Sequence, residues 1–424
     1  MADGNQFVAS DEAGALSLPP EYKWPGGLET IPDWIFTDPR VFALEQERLF
    51  HGRAWNYVGL EAEVPRAGDY IRSYAGATPL IVARDDGGEV RVFENRCAHR
   101  GVEFCKSYRG NAKQFTCPYH QWTYDLGGRL IGVPFRRGLK GQGGMPSSFE
   151  PGEHNLRRLS VTCRGGAIFA SFVADMEPLE DYLGPDVARE FDTIFSGREL
   201  KVHGYHRNIL PFNWKLYQEN LKDAYHATLL HAYLTTFGLF SADNKTVILT
   251  DSTGRHHVSL TARPAERPKM DENKAQIGSF NEAMPLHDPR VIKFFKEFDD
   301  PWSGAPITIW PNLVVTRQTN LLVNRQIVPL SPDETLLIWT SFGFADDSDE
   351  MTRHRLRQNN LFGPGGFLGI DDNEVLKFVQ DGLRKSVPRD GLALLGTDDE
   401  NTETTITERP LRAMYRFYRQ AMGL

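Results

Sequence analysis

Cysteine is scarce: four in 424 residues, at Cys97, Cys105, Cys117 and Cys163. So few, with no spacing that demands a pair, argue against a disulfide-built secreted domain and suit a reducing cytoplasm. Long apolar runs are missing. No stretch approaches the roughly eighteen residues of a membrane helix, and the opening MADGNQF shows no basic-then-apolar leader. Basic tracts are absent too. With 48 Lys and Arg against 56 Asp and Glu, net charge −8, the chain is a poor partner for nucleic acid. No G-x-G-x-x-G follows a strand-like run and no flavin signature occurs, so no dinucleotide or flavin site is read from the chain. What is left is a globular protein long enough for two or three domains.

Against that background two short motifs stand out. Cys97-x-His99 and Cys117-x2-His120 are separated by seventeen residues. Cys and His bind iron and zinc. Two thiolates on one iron and two imidazoles on the other form the ligand set of a Rieske [2Fe–2S] centre, in which the neutral imidazoles raise the reduction potential. A structural zinc site of two cysteines and two histidines is the alternative, although zinc pairs more often read C-x2-C. The membrane-bound respiratory Rieske proteins add two bridging cysteines. Here the comparable positions are Val102 and Tyr119, so packing must hold the loops, with Phe115 and Trp122 as apolar shields.

Taken in order, the chain predicts an α+β fold. Residues 1–50 form an N-terminal segment belonging to the larger, C-terminal domain, with a loose lead-in over 1–30. Asp38–Pro39 starts a helix carrying Val41, Leu44, Leu49 and Phe50. Residues 51–170 form a small all-β domain, built from WNYVG, DYIRSYAG, PLIVARDDGG and VRVFEN and ending near GGAIFASFV, with the two metal loops on hairpins. Residues 171–424 form a larger domain, an antiparallel sheet flanked by helices. Its strands include VILTD, HHVSLTA, NLVVTRQ and TLLIWTSFGF; its helices lie at 213–234 and near 351–361 and 370–384.

A second metal site is read from Asp223, His226 and His231. On a regular helix, residues five apart point about 140° away from each other, so the two histidines converge only where the helix is distorted or ends. The third ligand should be a carboxylate from Asp371–Asp372, at the start of a helix behind FGPGGF; one aspartate caps and the other ligates. Two imidazoles and one carboxylate form the facial triad of non-haem Fe(II), with open positions for O2.

Together these motifs resemble the α (large) subunits of Rieske non-haem iron aromatic-ring-hydroxylating oxygenases, over roughly residues 35–424. C-x-H-x17-C-x2-H matches the family's cluster motif, NWKLYQENLKDAYHATLLH its iron motif, and FGPGGFLGIDD the loop whose second aspartate is a ligand. The resemblance implies a [2Fe–2S] cluster on Cys97, His99, Cys117 and His120, and a mononuclear iron on His226, His231 and Asp372. It makes Asp223 the carboxylate linking His120 of one subunit to His226 of its neighbour, and so implies a trimer of α subunits. Lys222 stands where many members carry Gly, and the spacing to Asn220 is one residue short, which lowers the weight on Asn220.

Within the family the chain is similar above all to the large subunits of salicylate 5-hydroxylase, with anthranilate, ortho-halobenzoate and terephthalate dioxygenases nearby. NAKQFTCPYHQW, GVPFRRG, FGLFSADNK and RQNNLFGPGGF carry this likeness. It implies ring hydroxylation of a substituted benzoate in the breakdown of aromatic compounds, first salicylate to gentisate, using O2 and electrons from NADH. Those electrons would arrive through a reductase and a ferredoxin, and a small β subunit would complete an α3β3 assembly, unless α3 suffices. Arg325 matches the arginine that holds the substrate carboxylate in terephthalate-type enzymes; an ordinary surface ion pair is its alternative. No second such arginine is matched. Phe237, Phe240, Phe362 and Phe367 are candidate walls for the ring. Arg96, Arg100, Lys106, Arg109 and Lys113 surround the metal loops as a candidate ferredoxin dock. Two other readings stay open here: a Rieske electron carrier without a mononuclear iron, and a zinc-bound structural or binding protein.

Overall fold

The computed structural model describes Pro19 and residues 22–263, 283–396 and 403–424. The expected loose lead-in falls largely outside the described residues. The described chain opens with β1 (Thr30–Ile31), α1 (Trp34–Thr37) and α2 (Pro39–Glu45). As the sequence predicts, Asp38 caps α2: its carboxylate accepts from the Arg40 amide at 2.7 Å, and Pro39 takes the first turn, where no amide hydrogen is missed. A π-helical turn, Gln46–Phe50, continues α2. Val41, Leu44, Leu49 and Phe50 are buried in one core with Trp214, Val323 and Tyr418, so these first helices pack on the C-terminal half of the chain.

Three small antiparallel sheets follow. The first contains β3 (Asp69–Ala75), β4 (Thr78–Arg84), β5 (Val90–Glu94) and β6 (Arg109–Asn111), in the order β5-β4-β3-β6. Strand β3 buries every second residue, the pattern of a sheet with one wet face. The second, β7 (Phe115–Thr116), β8 (Thr123–Tyr124) and β9 (Leu130–Gly132), carries the second metal loop between its first two strands. The third pairs β10 (Ser160–Arg164) and β11 (Ala167–Ser171) with β2 (Asn56–Leu60).

The larger sheet has seven strands in the order β12-β18-β17-β16-β15-β14-β13, every neighbour antiparallel. They are β12 (Leu200–Leu210), β13 (Thr246–Thr250), β14 (His257–Ala262), β15 (Trp302–Ile309), β16 (Leu313–Gln318), β17 (Leu321–Ser331) and β18 (Glu334–Phe344). Both faces are covered. Leu313, Val315 and Leu322 point into a core closed by α3 (Leu179–Leu183) and α4 (Pro185–Ile194). Val314, Val323 and Trp339 point the other way, into the core of α5 (Trp214–Lys222), α8 (Asp349–Phe362), α9 (Phe367–Lys385) and α10 (Arg409–Met422). β19 (Gly391–Leu392) pairs back with β1.

Two expectations need correction. The helix over 213–234 is broken: α5 ends at Lys222, and α6 (Ala227–Leu230) and α7 (Ala232–Thr236) follow as single turns. The helix expected at 370–384 begins earlier, at Phe367, behind an N-cap at Gly366. Neither Asp371 nor Asp372 can therefore cap it. The N-W-K stretch is structural. Asn213 caps α5 by accepting from the Lys215 amide, the Trp214 indole donates to Glu45, and Lys215 Nζ lies 2.7 Å from Glu45 in a fully buried ion pair.

Candidate metal centres and substrate cavity

The two loops of the first site share one backbone design. The Cys97 amide donates to the Val102 carbonyl and the Cys97 carbonyl accepts from Gly101; Cys117 does the same with Trp122 and Gln121. In both loops the residue four after the cysteine is left-handed, Gly101 at φ +70° and Gln121 at φ +56°. These equivalent turns lay both cysteines in the buried core with Phe104, Phe115 and Tyr124. The donors sort into two pairs. The Cys117 sulfur lies beside Cys97, and the His99 and His120 rings lie edge to face with centroids 4.6 Å apart. Two pairs suit two metal atoms, thiolates on one and imidazoles on the other.

The surroundings fit such a group. His99 Nδ1 is buried and has no hydrogen-bond partner among the described residues. Burial, then the nearby His120 and Arg100, hold its pKa below the usual value, so it presents a neutral ring. The Tyr124 hydroxyl lies 3.3 Å from the Cys97 sulfur. Trp122 stacks flat on His99 at 4.7 Å and Phe115 is buried in the same core, the shielding expected of both.

The second site forms where the helix breaks. Asp223 ends α5 and accepts the Tyr225 amide at 2.9 Å, an Asx turn that redirects the chain. His226 then precedes the single turn α6 and His231 follows it, so the two rings come to 5.3 Å. From α9, Asp372 inserts between them, its Oδ1 3.5 Å from His226 Nε2 and 3.2 Å from His231 Nε2. One donor atom from each of the three lies within 4.8 Å of the others. Among the described residues, this is the one trio of His, Cys, Asp and Glu so gathered.

Neighbouring side chains orient each member. Asp371, expected to cap, instead holds His231 Nδ1 at 3.2 Å. Asp223 lies 3.5 Å from His226 Nδ1. Asn220, given little weight from the sequence, donates its amide to Asp372 at 3.1 Å. Its signal was a polar residue one helical turn before Asp223, on the buried side of an amphipathic helix. Burial opposes a charge on His226, but Asp223 and Asp372 outweigh it and push the imidazole up to about 10. Burial would raise the Asp372 carboxyl, but the two imidazoles hold it well below the usual carboxylate range. A divalent cation can replace the protons on these imidazoles as the counter-charge to the carboxylates, leaving two neutral nitrogen ligands beside Asp372.

A cavity opens beside this trio. Leu234, Phe240, Phe362 and Leu368 give it apolar walls, and Arg325, His257, Ser259, Thr261, Thr316 and Gln318 a polar floor. Of the four phenylalanines expected to wall it, Phe240 and Phe362 do. Phe237 is buried in the core, and Phe367 stacks on Tyr233, partly exposed. Arg325 is 2% exposed, which removes the surface-ion-pair alternative. It donates to the Tyr217 hydroxyl at 2.9 Å and lies over the Trp339 ring, and no carboxylate among the described residues pairs with it. The five basic residues near the first site are all exposed; Lys106 pairs with Glu103 at 3.3 Å.

A two-pair Cys/His site on a small β domain, with a trio of two imidazoles and a carboxylate beside a cavity on a larger one, defines a Rieske-type non-haem iron oxygenase. The comparisons agree. Residues 54–142 match the Rieske [2Fe–2S] domain, and residues 195–424 match the ring hydroxylating alpha subunit (catalytic domain). The chain belongs to the α subunits of ring-hydroxylating oxygenases, which are oxidoreductases carrying a [2Fe–2S] cluster and a mononuclear iron. It is 45% identical to the salicylate 5-hydroxylase large oxygenase component of Ralstonia sp., across 96% of this chain and 97% of that one. It is 38% identical to the anthranilate 1,2-dioxygenase large subunit of Burkholderia cepacia, across 98% of each. A terephthalate 1,2-dioxygenase terminal oxygenase component, subunit alpha 2, from Comamonas sp. is 41% identical, across 95% of this chain and 97% of the relative. The fold superposes on naphthalene 1,2-dioxygenase of Rhodococcus sp. bound to indole with TM-score 0.76 and 27% identity, covering 93% of this chain and 94% of that structure. The first three relatives are named as subunits or components of an oxygenase. No helix of the described residues is long and apolar enough to cross a membrane.

Proposed function

We propose that this chain is the large subunit of an oxygenase that hydroxylates the ring of a substituted benzoate, with salicylate, converted to gentisate, as the first substrate. The observation that carries the reading is Arg325, a buried guanidinium in the cavity of His226, His231 and Asp372 that has no carboxylate partner among the described residues. A buried cation left unpaired is costly, and the carboxylate of a benzoate would satisfy it with two parallel hydrogen bonds. The likeness to the salicylate enzyme supports the choice of ring. Dioxygenation of anthranilate, a 2-halobenzoate or terephthalate is the second reading, favoured by two relatives of nearly the same identity.

In this reading Cys97, His99, Cys117 and His120 hold the [2Fe–2S] cluster, and His226, His231 and Asp372 hold the iron. Bound there, the cluster supplies electrons and the iron activates O2. The protein does the rest. Arg325 fixes the carboxylate end of the ring, while Phe240, Phe362, Leu234 and Leu368 exclude water around it. Asn220 and Asp371 hold Asp372 and His231 in register. Asp223, at the end of α5 and partly exposed, turns one oxygen to His226 and presents the other, which the Tyr225 amide also meets, to a histidine of a neighbouring subunit, His120 in an α3 or α3β3 assembly. Arg96, Arg100, Lys106, Arg109 and Lys113 give an acidic ferredoxin, itself reduced by an NADH-dependent reductase, a face to approach in the cytoplasm.

The test is product identity after one turnover. Chemically reduced holoprotein is mixed with O2 and salicylate, anthranilate, 2-chlorobenzoate, benzoate or terephthalate, and products are read by mass spectrometry. Gentisate carrying one oxygen atom from O2 is expected. A catechol from anthranilate or the chlorobenzoate, with both atoms incorporated, would move the chain to the second reading. No product from any of the five would end the benzoate assignment.

A further inference from the structure

The polar floor of the cavity is set by sheet register. His257 on β14 sits opposite Thr308 on β15, Thr308 opposite Val314 on β16, and Val314 opposite Arg325 on β17. Opposed residues in an antiparallel sheet point to the same side, so His257 and Arg325 stand in one row on the face of the metal trio. Three strand steps separate them, about 14 Å between backbones at roughly 4.8 Å per step. One end of the row is a cation, the other an imidazole, and both line the same cavity.

His257 is 1% exposed, yet neither ring nitrogen has a hydrogen-bond partner among the described residues. Burial, then the nearby Lys222 and Arg409, push its pKa down to about 3; the Leu249 carbonyl opposes this without reaching hydrogen-bond geometry. The ring is therefore neutral, with one N–H and one lone pair. Lys222 Nζ bonds Gln218 and Thr308, each at 2.8 Å, and makes no hydrogen bond to the ring. A buried imidazole left with both nitrogens idle is a standing cost, which a bound ligand with matching groups removes. A neutral imidazole matches a neutral hydroxyl or amine; a carboxylate belongs with Arg325.

We propose that His257 is the second polar anchor of the substrate: with the carboxylate on Arg325, its imidazole hydrogen-bonds a hydroxyl or amino substituent of the ring, so that the enzyme selects hydroxy- and aminobenzoates over rings bearing hydrogen or halogen there. This rests on the benzoate reading above. A site built to hydrogen-bond a substituent discriminates strongly against analogues that lack it.

The experiment measures kcat/KM of the holoenzyme for salicylate, anthranilate, benzoate and 2-chlorobenzoate. Native protein prefers the first two. His257→Leu lowers the preference, the ratio of salicylate to benzoate, by roughly 10- to 100-fold. His257→Gln, whose amide both donates and accepts, keeps more of the ratio than His257→Leu. Should His257→Leu fail to fold, His257→Met, with an apolar chain of similar reach, carries the same test. An unchanged ratio in the folded apolar variant, or an equal loss on all four substrates, overturns the assignment of His257 alone. Native enzyme that accepts benzoates without preferring a hydroxyl or amine also overturns it. Native enzyme that turns over none of the four overturns the benzoate reading and this proposal with it.

Discussion

Asn220 and Asp372, on different helices and 152 positions apart in sequence, meet through a hydrogen bond of 3.1 Å, and the amide of Asn220 also lies 3.4 Å from His226 Nε2. One side chain thus locks the carboxylate of α9 against the imidazole that follows α5. Removing such an orienting partner typically costs about 10–100-fold in metal affinity or activity. Asn220→Ala should weaken mononuclear iron by that factor in a chelator competition, while the visible spectrum of the cluster is unchanged. Native affinity in the variant would show that Asp372 holds its place without Asn220.

Asp223 lies at the end of α5 with one oxygen held by the Tyr225 amide and the other turned to His226. Asp223→Asn keeps the shape and the turn but removes the charge. Iron analysis should find both centres filled, with reoxidation of the reduced cluster by O2 and substrate slowed by about 10–100-fold. Native reoxidation with both centres filled would remove Asp223 from the path between them.

Arg325 should matter for binding more than for turnover. Truncating one member of a buried, hydrogen-bonded charge pair costs about 2–5 kcal/mol. Arg325→Met should therefore raise KM for salicylate roughly 30-fold or more, with a smaller effect on kcat. The opposite pattern, a fallen kcat at native KM, would place the carboxylate elsewhere.

Acid should destabilise the fold through His256. The Trp310 amide donates to its Nδ1 at 3.1 Å, and its Nε2 lies 2.9 Å from the Tyr182 carbonyl oxygen. Burial pushes its pKa down to about 3, with Arg255 adding to the effect against Asp251. The unfolded chain, with an ordinary histidine, binds the proton first, so stability rises with pH between about 3 and 6.5. At pH 5 this one residue costs roughly 2 kcal/mol relative to pH 8. Urea unfolding of His256→Gln should show a shallower fall in stability from pH 7 to pH 5 than the native protein. Parallel curves would assign the acid sensitivity to other groups.

Much of this architecture was legible along the chain. The Asp38–Pro39 helix start, the four strand runs of the large sheet and the hairpins bearing the metal loops all lie in stretches of about ten residues, where side-chain period and turn chemistry act locally. The break between His226 and His231 was legible as a requirement, because five-residue spacing on an intact helix would have parted the rings. The form of the break was not: the chain leaves the helix at Asp223 through a turn made by that residue's own carboxylate. The division of labour at Asp371–Asp372 was half legible. Capping was the wrong role for Asp371, because the helix begins at Phe367 behind Gly366, which leaves Asp371 inside its second turn.

The sequence by itself determined which atoms can bind metal, the spacing of the two cluster loops, and most of the strands and helices around them. Those properties follow from residue chemistry and from periods of two and 3.6 residues. Only the tertiary structure decided that Asp372 enters between two histidines more than 140 positions earlier, that Asn220 steadies it, and that Arg325 and His257 share one row facing the cavity. Register across four strands, and helices packed on that face, bring these groups together. Such long-range pairings depend on the whole core closing at once, so no local stretch of the chain contains them.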